Sequence, residues 1–281
     1  MIPVRLGFRA FDPHELLCHF VAEASGAYEA GSLRPHLVDL TFLPQVPPDV
    51  FEVACGSALL AHLQGRKRHI VLEAARGPLF WLFGAGDGAD ASATLGGTVA
   101  SYPLGSPPDV LLRLFLRVEG VDPDSAVTFV PIRDDAARLG LLRAGEVTAA
   151  LVSSAVPPPR VRHSGFSRLG CLADRLTVPT SGLAVDPGMF TRQKDVVLSV
   201  ALAHRHSLAV IQNEPEVVAS VLREIFGHTD AEAEEMVGVY QATMSPDGIV
   251  GIETVPPDAR LVAHEVTDGR QPDLAALYGG L

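Results

Sequence analysis

Segments with the hydrophobic pattern of a β-strand alternate with segments that have the pattern of an α-helix along most of the chain. The clearest helical pattern spans 106–118, where apolar residues recur on one face and two prolines occupy the first turn. Short apolar runs such as 98–101, and a period-2 alternation at 36–42, are typical of strands. This alternation predicts an α/β fold in which parallel sheets carry helices on both faces.

The predicted elements form two lobes. From residue 177 the chain becomes mostly helical, with too few strands for a sheet of its own, so this last third is expected to pack back on the first subdomain. Residues 1–96 together with 178–281 therefore form lobe I, and 97–177 form lobe II. Ligands of such proteins bind in a cleft between lobes, at the C-terminal ends of strands and the N-termini of helices. The predicted strands are 4–8, 36–42, 51–55, 69–74, 79–83, 98–101, 127–131 and 147–152, and the predicted helices are 13–24, 58–64, 106–118, 134–143, 193–209, 215–226 and 231–242.

Charge and composition exclude several classes of protein. The 22 Lys and Arg against 33 Asp and Glu give a formal net charge of −11 at pH 7, whereas nucleic acids and anionic membranes attract positive surfaces. No apolar stretch approaches the roughly 20 residues that a membrane helix needs, so no transmembrane segment is expected. Cys18, Cys55 and Cys171 are too few and too scattered for a disulfide framework. The first two lie in apolar segments and are expected to be buried hydrophobic residues.

The start of the chain bears on location. Arg5, Arg9 and Asp12 interrupt the apolar run that a secretory signal would need. The sequence as written therefore predicts a cytoplasmic protein, or an extracytoplasmic one if a leader has been removed.

Several segments together resemble a known family. GSPPDVLLRLFLRVEGVDPDSAVTFVPI is similar to the opening of the second lobe of type II periplasmic binding proteins, and LLRAGEVTAALV to a later strand entry, with Thr148 where Asp is usual. VPTSGLAVDPGMF resembles the return crossing, and NEPEVVASVLREIFG and MSPDGIVGIE resemble late helices and the closing segment. The nearest branch is the nitrate, sulfonate and thiamine-precursor group of ABC transporter substrate-binding proteins, typified by SsuA.

The resemblance implies a two-lobed periplasmic binding protein type II fold with a ligand cleft between the lobes. Members of the family include transporter receptors that bind a small molecule without a cofactor and deliver it to a membrane permease. Relatives on the same fold are cytoplasmic enzymes, such as thiamine-pyrimidine synthases, chorismate dehydratases and dihydroxyphthalate decarboxylases. The chain lacks the clustered histidine and cysteine motif of the pyrimidine synthases, so that activity is not expected.

The loop after the first strand supplies the first candidate site residues. Arg9 is predicted to grip an acidic ligand group, with Phe11 beside it, because a guanidinium binds carboxylate, sulfonate or phosphate bidentately. Asp12 and His14 are candidates for acid and base if the protein is an enzyme. The alternatives are that Arg9 is a surface charge, Asp12 only a helix cap and His14 an exposed residue of the first turn.

Further candidates follow other predicted strands. Gly56 and Ser57 offer backbone and hydroxyl donors at a helix N-terminus, with Ser57 as the cap, and one of Phe80 and Trp81 is expected to form an aromatic wall. In the loop that begins lobe II, Tyr102 can stack or hydrogen-bond. Gly105 and Ser106, which is expected to cap the following helix, are predicted to present donors toward the cleft. The alternative for each is a turn, a cap or a core position. Ser153 and Ser154 end a strand of lobe II, and Thr180 and Ser181 lie on the return crossing as candidates for hinge or cleft residues.

Two segments that could suggest a zinc site and a dinucleotide site do not have the pattern that such sites require. His14 and His19 are five residues apart and diverge on a helix, so they cannot share a zinc ion. The glycine- and alanine-rich segment 84–93 is predicted to be a surface loop, because no helical pattern follows its glycines as a dinucleotide site requires. We therefore expect neither a metal nor a cofactor.

Three functional hypotheses remain open. The first is a small-molecule-binding protein of the solute-binding type, which closes two lobes on a small organic ligand, anionic or aromatic, and hands it to an ABC permease. The second is a cytoplasmic enzyme that eliminates, dehydrates, decarboxylates or cyclises a small acid in the same cleft. The third is a ligand-sensing regulatory protein.

Overall fold

The computed structural model describes residues 1–85, 97–248, 255–267 and 273–278. The predicted loop 84–93 and the closing segment 244–253 therefore lie partly outside the described residues. The chain divides into two compact units: unit 1 comprises Met1–Arg76 and Val178–Leu281, and unit 2 comprises Gly77–Thr177. In the part of the chain that the structure describes, no helix is both long and apolar enough to cross a lipid bilayer.

The elements alternate as the sequence predicts. The strands are β1 Ile2–Phe8, β2 Leu33–Asp39, β3 Val50–Glu52, β4 His69–Ala75, β5 Trp81–Ala85, β6 Thr98–Ser101, β7 Thr128–Pro131, β8 Ala149–Val152, β9 Phe166–Cys171 and β10 Ser181–Val185. The helices are α1 Pro13–Ala24, α2 Ala27–Ala30, α3 Cys55–Leu63, α4 Pro107–Val118, α5 Asp135–Ala144, α6 Pro158–His163, α7 Pro187–Arg192, α8 Lys194–Asn213, α9 Pro215–Glu224, α10 Asp230–Thr243, α11 Pro257–Val266 and α12 Leu274–Leu277.

Each unit is built on a five-stranded sheet. The order in unit 1 is β2-β1-β3-β10-β4, and that in unit 2 is β7-β6-β8-β5-β9. Both sheets are mixed, which corrects the expectation of purely parallel sheets: β10 runs antiparallel to β3 and β4, and β5 runs antiparallel to β8 and β9. In each unit the antiparallel strand is the first one after the chain crosses from the other unit: β5 in unit 2 and β10 in unit 1.

The first junction between the units lies earlier than predicted. It falls between Arg76 and Gly77 rather than near 96–100, because β5 pairs with β8 and β9 of unit 2. The second junction falls between Thr177 and Val178. In unit 1 the chain segments that meet these junctions pair with each other, since the amide of Val178 donates to the carbonyl of Arg76 at 2.7 Å.

Several local predictions about helix ends are confirmed, and two are wrong. Asp12 caps α1, with Pro13 in the first turn, and Gly145 ends α5 in the left-handed conformation at φ 71°. Ser57 does not cap α3, because that helix begins at Cys55 and places Ser57 inside its first turn. Ser106 stands at the N-cap position of α4, but its side chain makes no capping hydrogen bond.

Gly182 allows β10 to approach β4 closely. Its φ is 153°, and a Cβ built there would lie 2.0 Å from the carbonyl oxygen of Leu72. The strands shift register beside it, between Ser181 and Gly182. Any side chain at this position would therefore push β10 away from β4, the edge strand of the unit 1 sheet.

Candidate functional site

The candidate residues of unit 1 lie at one edge of its sheet. The parallel strands β1 and β3 end there, and the antiparallel β10 begins there. The amide of Gly56 donates to the carbonyl of Thr180 at 3.2 Å, which joins the start of α3 to the start of β10. The structure thus brings together at this edge the predicted residues Arg9, Phe11, Asp12, Gly56, Ser57, Thr180 and Ser181.

The guanidinium of Arg9 forms hydrogen bonds with other residues of unit 1. Its Nη1 donates to the carbonyls of Leu40 and Leu43 at 2.8 and 2.7 Å. Its Nε and Nη2 donate to the buried carboxylate of Glu52 at 3.3 and 3.4 Å, and Arg68 pairs with the other oxygen of Glu52 at 3.3 Å. The guanidinium therefore holds the loop after β2 and neutralises a buried charge, a role that differs from the predicted bidentate grip on a ligand.

Asp12 and His14 are placed as structural residues. Asp12 is 4% exposed, and its Oδ1 accepts a hydrogen bond from the amide of Glu15 at 3.0 Å. His14 is buried rather than exposed, and burial lowers its pKa to about 4, so the imidazole is neutral at pH 7. The assignment of these two residues as acid and base gains no support from this arrangement.

Glu15 is a titratable residue at the same edge that the sequence did not single out. Its Oε2 accepts hydrogen bonds from the amides of Arg9 and Ala10 at 2.7 and 3.1 Å, which folds the loop after β1 onto α1. Burial, and then the carboxylate of Asp12, raise the pKa of Glu15 to about 8, although the two amides oppose the shift. The Asp-x-x-Glu spacing of a capping box was the available signal.

Phe11 gives this edge an exposed aromatic surface. The side chain is 51% exposed, and its ring packs against Phe8 and Phe226 with centroids 5.8 and 5.7 Å away. Phe42 and Leu43, in the loop after β2 that Arg9 holds, are also exposed. This part of the edge offers apolar contact rather than charge.

The donors predicted at α3 and β10 are only partly available. The amide of Gly56 already donates to the carbonyl of Thr180. The Thr180 hydroxyl donates to the carbonyl of Ala75 at 3.0 Å. Ser57 is half-buried in the first turn of α3. Ser181 is 1% exposed, and its hydroxyl makes no hydrogen bond with any described residue.

The candidate residues of unit 2 also gather at one edge of its sheet. The strands β6 and β8 end there and β5 begins there, with Trp81 paired to Val152. Of the predicted aromatic pair, Trp81 is 2% exposed and belongs to the core, whereas Phe80 is half-buried. The Phe80 and Tyr102 rings are nearly perpendicular, with an interplanar angle of 77° and centroids 5.6 Å apart. Ser153 and Ser154, which follow β8, are both buried.

A buried arginine lies behind Tyr102. The guanidinium carbon of Arg138 is 3.8 Å from the centre of the Tyr102 ring, and Arg138 pairs with Asp135. The Asp135 carboxylate in turn accepts hydrogen bonds from the amide and the hydroxyl of Ser153 at 2.9 and 2.7 Å. The sequence predicted Tyr102 and Ser153 as candidates, but not Arg138 and Asp135, which connect them.

The loop that precedes α4 is held by a carboxylate. Gly105 has a φ of 75°, and its amide donates to Asp109 Oδ2 at 2.9 Å. Asp109 also pairs with Arg113 at 3.3 Å. The amide predicted to face a ligand is therefore occupied, whereas the hydroxyl of Ser106 forms no hydrogen bond with a described residue.

Within the described ranges, no group of three His, Cys, Asp or Glu side chains is arranged to hold a metal ion. Cys18, Cys55 and Cys171 are all free of disulfides and buried, and the burial of the first two was predicted. Burial raises the pKa of each thiol, to about 12 for Cys18 and about 11 for Cys171. These thiols therefore lack the ionised form that reacts as a nucleophile.

The fold defined by these two units is that of the periplasmic binding proteins, as the sequence predicted. No protein-family model and no curated protein sequence matches the chain. The likeness is one of structure at low sequence identity.

Individual structures extend over nearly the whole chain. The aliphatic sulphonate binding protein SsuA of Escherichia coli is similar with a TM-score of 0.75 and 13% identity, over 100% of this chain and 92% of that one. SsuA of Xanthomonas axonopodis pv. citri, bound to MOPS, is similar with a TM-score of 0.68 and 14% identity, over 95% and 92%. The desulfurization enzyme DszB shares the fold with a TM-score of 0.66 and 12% identity, over 96% and 95%.

Proposed function

We propose that this protein is a small-molecule-binding protein of the solute-binding type, and that its ligand is a small organic molecule with an aromatic or otherwise apolar part. The observation that carries the proposal is the aromatic side chain at the strand ends of each unit. Phe11 is half exposed at the edge of unit 1, and Tyr102 with Phe80 is half-buried at the edge of unit 2. The likeness to sulfonate-binding proteins over the full chain supports the same class of function.

The positions of the arginines favour an aromatic ligand over a strongly anionic one. Arg9, the cation predicted to bind an acidic group, already donates to Glu52 and two carbonyls. Arg138 is buried and paired with Asp135. A ligand held mainly through a sulfonate group needs unpaired donors, and neither arginine offers a free bidentate face. We therefore assign ligand contact to the aromatic residues and a structural role to the two arginines.

The same proposal names a partner and a location. Binding proteins of ABC import systems share this fold, and we propose that this chain delivers its ligand to the permease of such a system outside the cytoplasm. Reconstitution with the permease in vesicles tests this step, because ligand-dependent stimulation of ATP hydrolysis is expected. A permease whose ATP hydrolysis does not respond to the loaded protein would contradict the partnership.

Titration calorimetry with four probes tests the ligand class. We expect benzoate and benzenesulfonate to bind, and methanesulfonate and MOPS to bind at least about tenfold more weakly, a difference of about 1.4 kcal/mol. The opposite order would refute the aromatic assignment. If none of the four binds, mass spectrometry of molecules that the protein retains from a cell extract decides the class, and retention of no compound would refute the proposal.

Matched variants test the contacts. Phe11→Ala and Tyr102→Ala should each weaken benzoate binding about tenfold, because truncation removes a large aromatic contact. Leu202→Ala serves as the control, since Leu202 is 61% exposed on α8, a helix that carries none of the candidate residues. Unchanged affinity in both aromatic variants would remove these residues from the site.

The same extract experiment distinguishes a receptor from an enzyme. DszB shows that this fold also carries enzymatic activity. A compound released unchanged supports a binding protein. A compound depleted catalytically, with a new product of defined mass, would replace the proposal by the enzymatic alternative.

A further inference from the structure

Arg138 lies at the centre of the strand-end loops of unit 2. The residue is on α5 and fully buried. Its Nε donates to the carbonyl of Leu151 at 2.6 Å, in β8. Its Nη1 donates to the carbonyls of Ile132 and Arg133, in the loop after β7, the latter at 2.8 Å. One guanidinium therefore ties the end of β7 to the end of β8.

Asp135 extends this network to Ser153. It pairs with Nη2 of Arg138 and accepts both the amide and the hydroxyl hydrogen of Ser153. The Ser153 hydroxyl oxygen accepts the amide of Ala155 at 3.2 Å. The position of the loop after β8 is thus set by the ion pair on α5.

The third loop is held through an aromatic ring. The guanidinium carbon of Arg138 lies over the ring of Tyr102, 3.8 Å from the ring centre, and the Phe80 ring lies nearly perpendicular to it with centroids 5.6 Å apart. These two contacts fix the ring from two directions. For stability alone, apolar side chains of similar volume could fill this space as well as a buried ion pair.

We infer that Arg138, together with Asp135, is a positioning residue that orients the Tyr102 ring and the Ser153 loop for a planar aromatic ligand. The inference rests on the proposed function, because it assumes that Tyr102 contacts the ligand. It deepens that proposal by naming the ligand's shape: a flat ring can stack face to face on an oriented phenol ring, whereas a puckered ring of the same size makes a weaker contact with it. A role limited to stability would lower the affinity for flat and puckered ligands equally.

Benzoate and cyclohexanecarboxylate form a matched pair of probes, since they carry the same charge on a flat and a puckered six-membered ring. By calorimetry the wild-type protein should prefer benzoate by about threefold to tenfold, the usual worth of an aromatic pair. Arg138→Gln should abolish this preference. Arg143→Gln is the control, because Arg143 lies on the same helix over the ring of Phe166 with 5.8 Å to the ring centre and should leave the preference intact.

Arg138→Lys provides a second variant in case the glutamine variant does not fold. It keeps a cation but lacks the planar group, so the preference should again be lost. A variant that binds both probes more weakly by the same factor, or that keeps the wild-type preference, would refute the positioning role. Equal binding of both probes by the wild type refutes the inference while the proposed function stands, whereas binding of neither probe refutes the aromatic ligand class and the inference with it.

Discussion

The hydroxyl of Tyr28 bridges two buried histidines, and its removal should destabilise unit 1. The hydroxyl lies 3.1 Å from Nδ1 of His19 on α1 and 2.8 Å from Nε2 of His204 on α8. All three side chains are nearly inaccessible to solvent, with 1–3% exposed. Tyr28→Phe leaves the ring in place and removes both hydrogen bonds. The variant therefore isolates the bridge from the packing of α2 against α1 and α8.

The expected cost follows from the two nitrogens that lose a partner. Each buried polar group left without a hydrogen bond costs about 1–3 kcal/mol, so the loss at two nitrogens should lower the free energy of unfolding of Tyr28→Phe by about 2–6 kcal/mol. Urea unfolding at pH 7, followed by circular dichroism, measures the loss. A loss below about 0.5 kcal/mol, the range of ordinary surface substitutions, would refute the argument that the bridge is buried and satisfied.

The same histidines give this stability a pH dependence. Burial lowers the pKa of His19 to about 4 and that of His204 to about 3, from ordinary values of 6.5. Below pH 6.5 the unfolded chain takes up protons that the folded protein does not, so stability is complete above that pH and falls as the pH drops toward 4. The loss is about 2 kcal/mol for each histidine between pH 6.5 and 5. His204→Gln should reduce the slope, whereas the exposed His206→Gln should not, and equal slopes would contradict the assignment.

Two further substitutions test other contacts. Gly182→Ala should cost about 3 kcal/mol or more, because the new Cβ would lie 2.0 Å from the carbonyl oxygen of Leu72; Gly140→Ala, where a Cβ meets no atom within 4 Å, is the matched control, and equal melting temperatures would refute the close approach. Tyr278→Phe should cost about 1.5–3 kcal/mol, because the Tyr278 hydroxyl donates to the buried Glu73 carboxylate at 2.6 Å. Faster proteolysis of the C-terminal segment should accompany that loss, and an unchanged urea midpoint would contradict it.

Elements with strong periodicity were predictable, and those set by tertiary pairing were not. The helix α4 and the strand β6 occur where their patterns place them. The strand β2 ends at Asp39 rather than 42, because the Asp39 side chain accepts the amide of Thr41 at 2.8 Å and turns the chain. The edge strand β9 was missed, since Gly170 and the exposed Arg168 hide its alternation.

The candidate site shows the same division. The sequence placed strand-end residues such as Arg9 and Tyr102 correctly at an edge, because strand ends follow from local pattern. It did not reveal that Arg9 is neutralised by Glu52, 43 residues away, since such pairing depends on the sheet order. Asp135 and Arg138 gave no signal either, because a charged pair on a helix ordinarily indicates a solvated face.

The position of β10 in the sheet has a consequence for biosynthesis. This strand lies between β3 and β4, yet the ribosome makes it only after the whole of unit 2. While unit 2 is being completed, β3 and β4 have been translated but lack the strand that separates them, and their unpaired edges are exposed to other chains. Unit 2 is contiguous, from Gly77 to Thr177, and can finish folding in that interval. The nascent chain should therefore acquire protease resistance first in its middle third, and in its N-terminal part only after residue 185 has left the ribosome.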